Sequence, residues 1–206
     1  MEEILKYFPE FTEQQITQLK ALNELYRSWN EKINVISRKD IDMLYEHHVL
    51  HSLAIAKYFN PKPTTQILDL GTGGGFPGIP LAIALPHCRF KLIDGTGKKI
   101  RVAQVVIDEI GLTNAVAEQM RGEDEKGKFD FVVSRAVMPL TDLVKLVRKN
   151  INKTSRNALP NGIICLKGGD VQNEIAPYKK LAQVTSISEY FKEDWFKEKQ
   201  IIYLPI

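Results

Sequence analysis

Residues Gln66 to Gly78 read QILDLGTGGGFPG. Ile67 and Leu68 lead into Asp69, four of the next six residues are Gly, and Pro77 precedes the apolar run Ile79 to Leu85. That order predicts a strand, a tight glycine turn and a helix. Glycines at 71, 73, 74 and 75 let the backbone pass directly beneath a ligand in conformations a Cβ would penalise. The helix that follows presents unpaired N–H groups. A turn of this kind fits a nucleoside-bearing cofactor.

The details of the loop choose among such cofactors. A dinucleotide fold calls for G-x-G-x-x-G. Gly71, Gly73 and Phe76 break that spacing, although Gly73, Gly75 and Gly78 approximate a shifted version. Asp69, standing before the first Gly, suits a positively charged ligand rather than a pyrophosphate, and S-adenosylmethionine carries both an ammonium and a sulfonium. The next expected strand, Arg89 to Ile93, ends at Asp94, where a carboxylate can accept both ribose hydroxyls. NAD folds use the same acidic end, so Asp94 alone does not discriminate. The loop as a whole favours the methyl donor, with a dinucleotide as the alternative.

Around this loop the chain alternates. Strands are expected near 66–70, 89–94, 114–118, 129–134, 162–167, 184–190 and 200–204, with helices between the first five and between the fifth and sixth. Phe129 to Val133 and Gly162 to Leu166 are nearly continuous apolar runs of the type found in covered parallel sheets. A helix from Lys98 to Ile110 carries Val102, Val106 and Ile110 and stops at Gly111. Before the loop, Thr12 to Trp29 has a helical period with Thr12 as N-cap, a second helix is expected from Asp40 to Tyr58, and Asn60 to Pro63 breaks the chain. The fold expected is α/β: a seven-stranded, mostly parallel, doubly wound sheet (64–206) with an N-terminal helical extension (1–60). Ligands of such sheets bind at the carboxyl ends of the strands, where Gly71, Asp94 and Arg135 converge.

Composition is compatible with this plan. The chain has 206 residues, 44% of them hydrophobic, and a formal net charge of +3, which permits a polyanionic partner without requiring one. Cys88 and Cys165 are isolated and read as buried thiols rather than a disulfide or metal site. Glu2 and Glu3 open a segment with no apolar leader, and no stretch reaches membrane-spanning length, so a cytoplasmic location without membrane contact is expected.

Several of these stretches together resemble the bacterial RsmG family, also called glucose-inhibited division protein B. They are the glycine loop with Phe76-Pro77-Gly78, the segment Asp94 to Lys99, Ser134-Arg135-Ala136, Leu166 to Gly169, and the earlier Trp29-Asn30, Asn34, His48 and Ser52. The resemblance runs from about Leu25 to the end of the chain. It implies a class I methyltransferase fold and transfer of a methyl group from S-adenosylmethionine to N7 of a guanine in the decoding-region hairpin of 16S rRNA, either free or within a small-subunit ribonucleoprotein. It places cofactor contacts on Gly71, Phe76, Gly122, Glu123 and Arg135, beside the Gly73 and Asp94 already singled out. Gly122 stands where the family more often has Ala. The family's helical motif reads Arg-His-x-x-Asp-Ser, and His47 and His51 stand in place of its Arg and Asp.

Other clusters have two readings. His47 and His51, four apart on a helix, read as surface or interface histidines; no metal is expected, because two ring nitrogens do not complete a site. Glu118, Asp124 and Glu125 read as a solvated loop, with Glu123 set apart as an adenine contact. The run Lys145, Arg148, Lys149, Lys153 and Arg156 reads equally as a phosphate contact or a solvated helix end. Lys98, Lys99, Arg101 and Lys167 lie nearer the expected active face and are the preferred RNA contacts. Guanine N7 is an unprotonated acceptor, so its methylation needs alignment rather than a general base, and no catalytic acid or base stands out. A methyltransferase for a small molecule or protein, and a non-catalytic RNA-binding module, are the other readings.

Overall fold

The structure, a computed structural model, describes residues 1–206. In chain order the elements are α1 (Glu2–Tyr7), α2 (Glu13–Lys32), α3 (His51–Tyr58), β1 (Gln66–Leu70), α4 (Gly78–Ala84), β2 (Arg89–Asp94), α5 (Gly97–Glu109), β3 (Ala115–Gln119), β4 (Phe131–Arg135), α6 (Leu140–Val147), β5 (Gly162–Gly168), α7 (Gln172–Ile175), β6 (Gln183–Ser186) and β7 (Lys199–Pro205). The strands form one sheet in the order β3-β2-β1-β4-β5-β7-β6. The first five are parallel, and β7 runs antiparallel between β5 and β6. The order reverses at β1, which pairs with β2 on one side and β4 on the other. The crevice for a ligand therefore opens above the carboxyl ends of β1 and β4.

The sheet is covered on both faces. On one, Leu19, Leu22 and Tyr26 of α2 join Val102 and Val106 of α5 and Phe90 of β2 in a single buried cluster. On the other, Leu140, Leu143 and Val147 of α6 pack with Val132, Ile163 and Ile202. Burying each such side chain contributes about 1.5–3 kcal/mol. Helix α2 starts as its sequence predicts: the Thr12 hydroxyl accepts from Gln15 N, and the Gln15 side chain accepts in return from Thr12 N at 2.9 Å. The helices before β1 thus share the core of the sheet, and Cys88 and Cys165 are both buried free thiols.

Three elements differ from expectation. No helix joins β3 to β4. The connection is a loop anchored from within, where buried Glu125 takes Lys91 Nζ at 2.8 Å and Gly127 N at 2.6 Å, while Asn150 Nδ2 donates to the Glu125 and Gly127 carbonyls. The strand expected at 184–190 ends at Ser186, because Ile187 and Phe191 turn into the core through a short 3-10 turn. The helix expected from Asp40 to Tyr58 is composite: a 3-10 turn (Ile41–Met43), a π-helix (Leu44–Leu50) and then α3. The wider π turn carries His47 and His48 toward the carboxyl end of β4, and single π turns of this sort occur preferentially at functional sites.

Candidate cofactor and acceptor site

At the end of β1, Asp69 is fully buried. Its Oδ2 accepts the Thr72 hydroxyl at 2.6 Å and Gly78 N at 2.7 Å, closing the glycine turn onto the start of α4. Its Oδ1 has no hydrogen-bond partner. Burial outweighs the two hydrogen bonds and raises this carboxyl to about 7. Gly71, Gly73 and Gly75 have φ of +69°, +58° and +110°, values that L side chains rarely adopt. Asp94, at the end of β2, ties two loops together: Oδ2 accepts Gly73 N at 2.9 Å and Oδ1 accepts Thr96 N at 2.7 Å.

These loops wall a cavity of about 420 Å³ whose lining includes Gly71, Asp94, Met120, Gly122, Glu123 and Val137. Lys149 Nζ donates to the Glu123 carbonyl and steadies the third loop from outside. A Cβ on Gly122 would meet only the flexible end of Leu146 and a methyl of Leu70, at 2.8 and 2.9 Å. Four of the residues named from sequence, Gly71, Asp94, Gly122 and Glu123, therefore border one space. Gly73 sits beside it through its bond to Asp94.

Phe76 and Arg135 stand elsewhere, against each other, with the guanidinium 5.2 Å from the ring centroid. Phe76 is buried beneath the glycine turn, between Tyr26 at 4.9 Å and His48 at 5.3 Å, and the Tyr26 hydroxyl donates to Gly74 O at 2.7 Å. Arg135 borders a second cavity of about 350 Å³, together with Asp40, His47, His48, Trp195 and Lys199. Its Nη2 donates to His48 Nδ1 at 3.1 Å and Nη1 to His47 O at 3.5 Å. No carboxylate pairs with it. Burial lowers this guanidinium to about 10, which leaves it charged at neutral pH.

The three histidines are not the surface or interface groups expected. His47 stacks on Trp195 at 4.2 Å and 13°, with Nδ1 3.0 Å from Asp40 Oδ1. His51, only 6% exposed, meets the same indole edge-on at 5.1 Å. Both departures from the family's Arg and Asp thus meet at one aromatic ring. Lys167 is also internal: its Nζ donates to Met138 O and to Glu174, each at 2.7 Å, so it does not face solvent as a free phosphate contact. Glu118 and Asp124 are exposed, as expected of a solvated loop, but Glu125 is buried and pairs with Lys91, which Glu118 also reaches. Within the basic run, Lys149 and Arg156 are tied to the Glu123 carbonyl and to Asp130. Lys98 and Arg101 are exposed near the start of α5, which follows the Asp94–Thr96 segment that lines the first cavity. Sequence reasoning missed Tyr26, Asp40, Trp195 and Lys199. The one available signal was the Trp195-Phe196 pair in the otherwise charged stretch Lys192 to Lys199.

Buried neutral histidines have a stability consequence. Burial, then the Arg135 charge, pushes His48 down to about 3, and burial pushes His51 well below 6.5. The unfolded chain protonates both below about pH 6.5, so their contribution is present above that value and is lost as the pH falls. Asp69 acts oppositely, because the folded state keeps a proton up to about pH 7 that the unfolded chain releases above 3.8. Two imidazoles against one carboxyl leave a net loss of about 1.4 kcal/mol per pH unit on acidification. The urea midpoint is expected to fall between about pH 6.5 and 5, and Asp69→Asn should roughly double that slope. A midpoint that rises over this interval would rule out the neutral histidines.

Comparison with known proteins agrees with this geometry. Residues 15–202 match the family model GidB, described as rRNA small subunit methyltransferase G. A ribosomal RNA small subunit methyltransferase G of Phocaeicola vulgatus is 59% identical over 206 residues, covering 100% of this chain and 99% of its own. Its counterpart in Bacteroides thetaiotaomicron is 57% identical over 206 residues, covering 100% of both chains. Among solved structures, a SAM-dependent methyltransferase from Aquifex aeolicus has a TM-score of 0.56 at 14% identity, covering 83% of this chain and 100% of that one, a likeness of fold. With the glycine turn, Asp94 and the switch point arranged as described, the conclusion is direct: the chain belongs to the GidB family of rRNA small subunit methyltransferases G.

Proposed function

We propose that this protein transfers a methyl group from S-adenosylmethionine to N7 of a guanine in the decoding-region hairpin of 16S rRNA, presented as RNA or as a small-subunit ribonucleoprotein. The observation that carries the reading is the first cavity, where Asp94 and the Met120–Glu123 loop share a wall with the glycine turn. Its residues fit the cofactor. The cradle at Gly71 exists only without a side chain, since a Cβ there would fall 2.5 Å from Val137. Asp69 is a buried carboxyl beside that turn whose Oδ1 has no partner, and a cationic ligand nearby would favour its ionised form.

In this reading Asp94 takes the ribose hydroxyls, Gly122 and Glu123 border the adenine, and the backbone of Gly71 and Gly73 lies beneath the ligand. Arg135, a cation without a carboxylate of its own, takes the methionyl carboxylate, and Phe76 braces its guanidinium from behind. When bound, S-adenosylmethionine supplies an electrophilic methyl group on a positively charged sulfur. The chain's task is to align donor and acceptor and exclude water. No side chain has to remove a proton, because guanine N7 offers a free lone pair. Neutral His48 fits that role: it accepts from Arg135 and adds no charge beside a base that becomes cationic.

The test follows from the nucleophile. At saturating cofactor, the single-turnover rate is expected to stay nearly flat from about pH 6.5 to 9, since neither the lone pair nor a catalytic base titrates there. The methylated base carries a fixed positive charge, so the RNA becomes cleavable at that nucleotide after mild reduction and aniline. A rate rising about tenfold per pH unit with an RNA that resists cleavage would point to an exocyclic amine or a ribose hydroxyl instead.

A further inference from the structure

Two stretches of chain each line more than one cavity. Val137 and Met138 face the first cavity, while the preceding Arg135 and Ala136 face the second. The carboxyl end of β4 is therefore the partition between them. Transfer requires reacting atoms within about 3–3.5 Å, so an acceptor must approach the cofactor across this partition, from the second cavity. At about 350 Å³, that space falls within the roughly 300–1,000 Å³ typical of small-molecule sites.

The second shared stretch is the turn at 38–41. Asp40 lines the second cavity, and its neighbours Arg38 and Ile41 line a third, of about 490 Å³, beside Arg27 and Asn30 at the end of α2. Arg38 and Lys39 are exposed, and neither forms an ion pair or donates a side-chain hydrogen bond. Across the second cavity, Lys199 is also without a carboxylate; its Nζ stands 4.4 Å over the Trp195 ring, which His47 backs from the stacked position. Lys199 lines this cavity, and Arg38 and Lys39 immediately precede Asp40, which lines it too, whereas the neighbouring Lys167 is neutralised by Glu174. Unpaired cations beside a base-sized cavity are what a nucleic-acid backbone requires.

Resting on the guanine-N7 reading above, we propose that the target base is extruded from its hairpin into the cavity between Arg135, His48, Gly168 and Trp195, with the strand's phosphates on Lys199, Arg38 and Lys39. Chemistry on a base held in a helix generally requires such extrusion. The exposed cations of α5 line neither of these cavities and contribute little to docking.

Three variants of the protein test this with a 16S decoding-hairpin RNA. Arg38→Gln/Lys39→Gln/Lys199→Gln should lower the slope of log affinity against log salt by roughly two to three, about one for each lost phosphate contact, with S-adenosylmethionine affinity by calorimetry unchanged. Lys98→Gln/Lys99→Gln/Arg101→Gln should leave the slope as in wild type. Gly168→Leu projects into the second cavity, where its Cβ would meet the flexible end of Lys199 at 3.3 Å and the Glu198 carbonyl at 3.7 Å. At saturating RNA and cofactor it should lose methyl transfer by at least about 100-fold, the scale on which a misplaced acceptor costs rate. Wild-type transfer by Gly168→Leu, or a salt slope that follows the α5 set, overturns the proposal while the function stands. Failure of the wild-type protein to methylate any guanine N7, with cofactor bound, overturns the functional reading and this inference together.

Discussion

Gly71→Ala is expected to abolish S-adenosylmethionine binding, raising Kd by at least about 100-fold, or roughly 2.7 kcal/mol. Two effects combine. At φ +69° an Ala is strained, at a cost of about 1–2 kcal/mol in stability, which a folded domain tolerates. The larger effect is steric: the new Cβ would lie 2.5 Å from Val137 Cγ2, so Val137, which is 39% exposed and lines the same cavity, has to move. Its open direction is the space the ligand requires. Adding Val137→Ala should therefore recover much of the affinity. Calorimetry on the single and double variants, with urea unfolding to confirm the fold, decides the matter. Wild-type affinity in the single variant would remove the cofactor from this cavity.

The second large effect is expected at Asp94. Asp94→Ala deletes the acceptor proposed for the ribose hydroxyls and also leaves Gly73 N and Thr96 N unpaired, so the two loops lose their shared anchor. A hydrogen bond to a charged group contributes about 1.5–3 kcal/mol, which translates into a Kd for S-adenosylmethionine higher by roughly 10- to 150-fold. Asp94→Asn, retaining one acceptor oxygen, should fall between Ala and wild type. Titration with NADH is the counter-test: tight NADH binding with no response to S-adenosylmethionine would place the pocket with the dinucleotide folds.

Both positions were readable in the sequence for a physical reason. Gly71 and Asp94 close consecutive strands, β1 and β2, so a local pattern of apolar run, turn residue and carboxylate determines where each lies. The same locality made the five parallel strands and α5 legible. Where long-range contacts decide the backbone, the reading failed. The loop after β3 is held by Lys91 and Asn150, neither of them near it in sequence, and no periodicity announces such an anchor. Strand β6 stops early because Ile187 is drawn into a core shared with the amino-terminal helices. In the second cavity, Asp40, His48, Arg135, Trp195 and Lys199 come from three distant stretches, so a histidine-rich helix read alone resembled a solvated surface. Lys167 was misjudged for a related reason: a lysine ending a central strand looks free until Glu174, after the next turn, reaches back to it.

The sheet order has a consequence for the sequence in which the molecule is made. Because β7 inserts between β5 and β6, the outer edge of β5 stays open during synthesis until residues 199–205 arrive, a period in which an unpaired strand invites wrong partners. Every residue bordering the first cavity lies between Leu70 and Leu146, whereas Trp195 and Lys199 reach the second only with the turn and strand that close this edge. A growing chain therefore acquires every wall of the first cavity well before the last walls of the second.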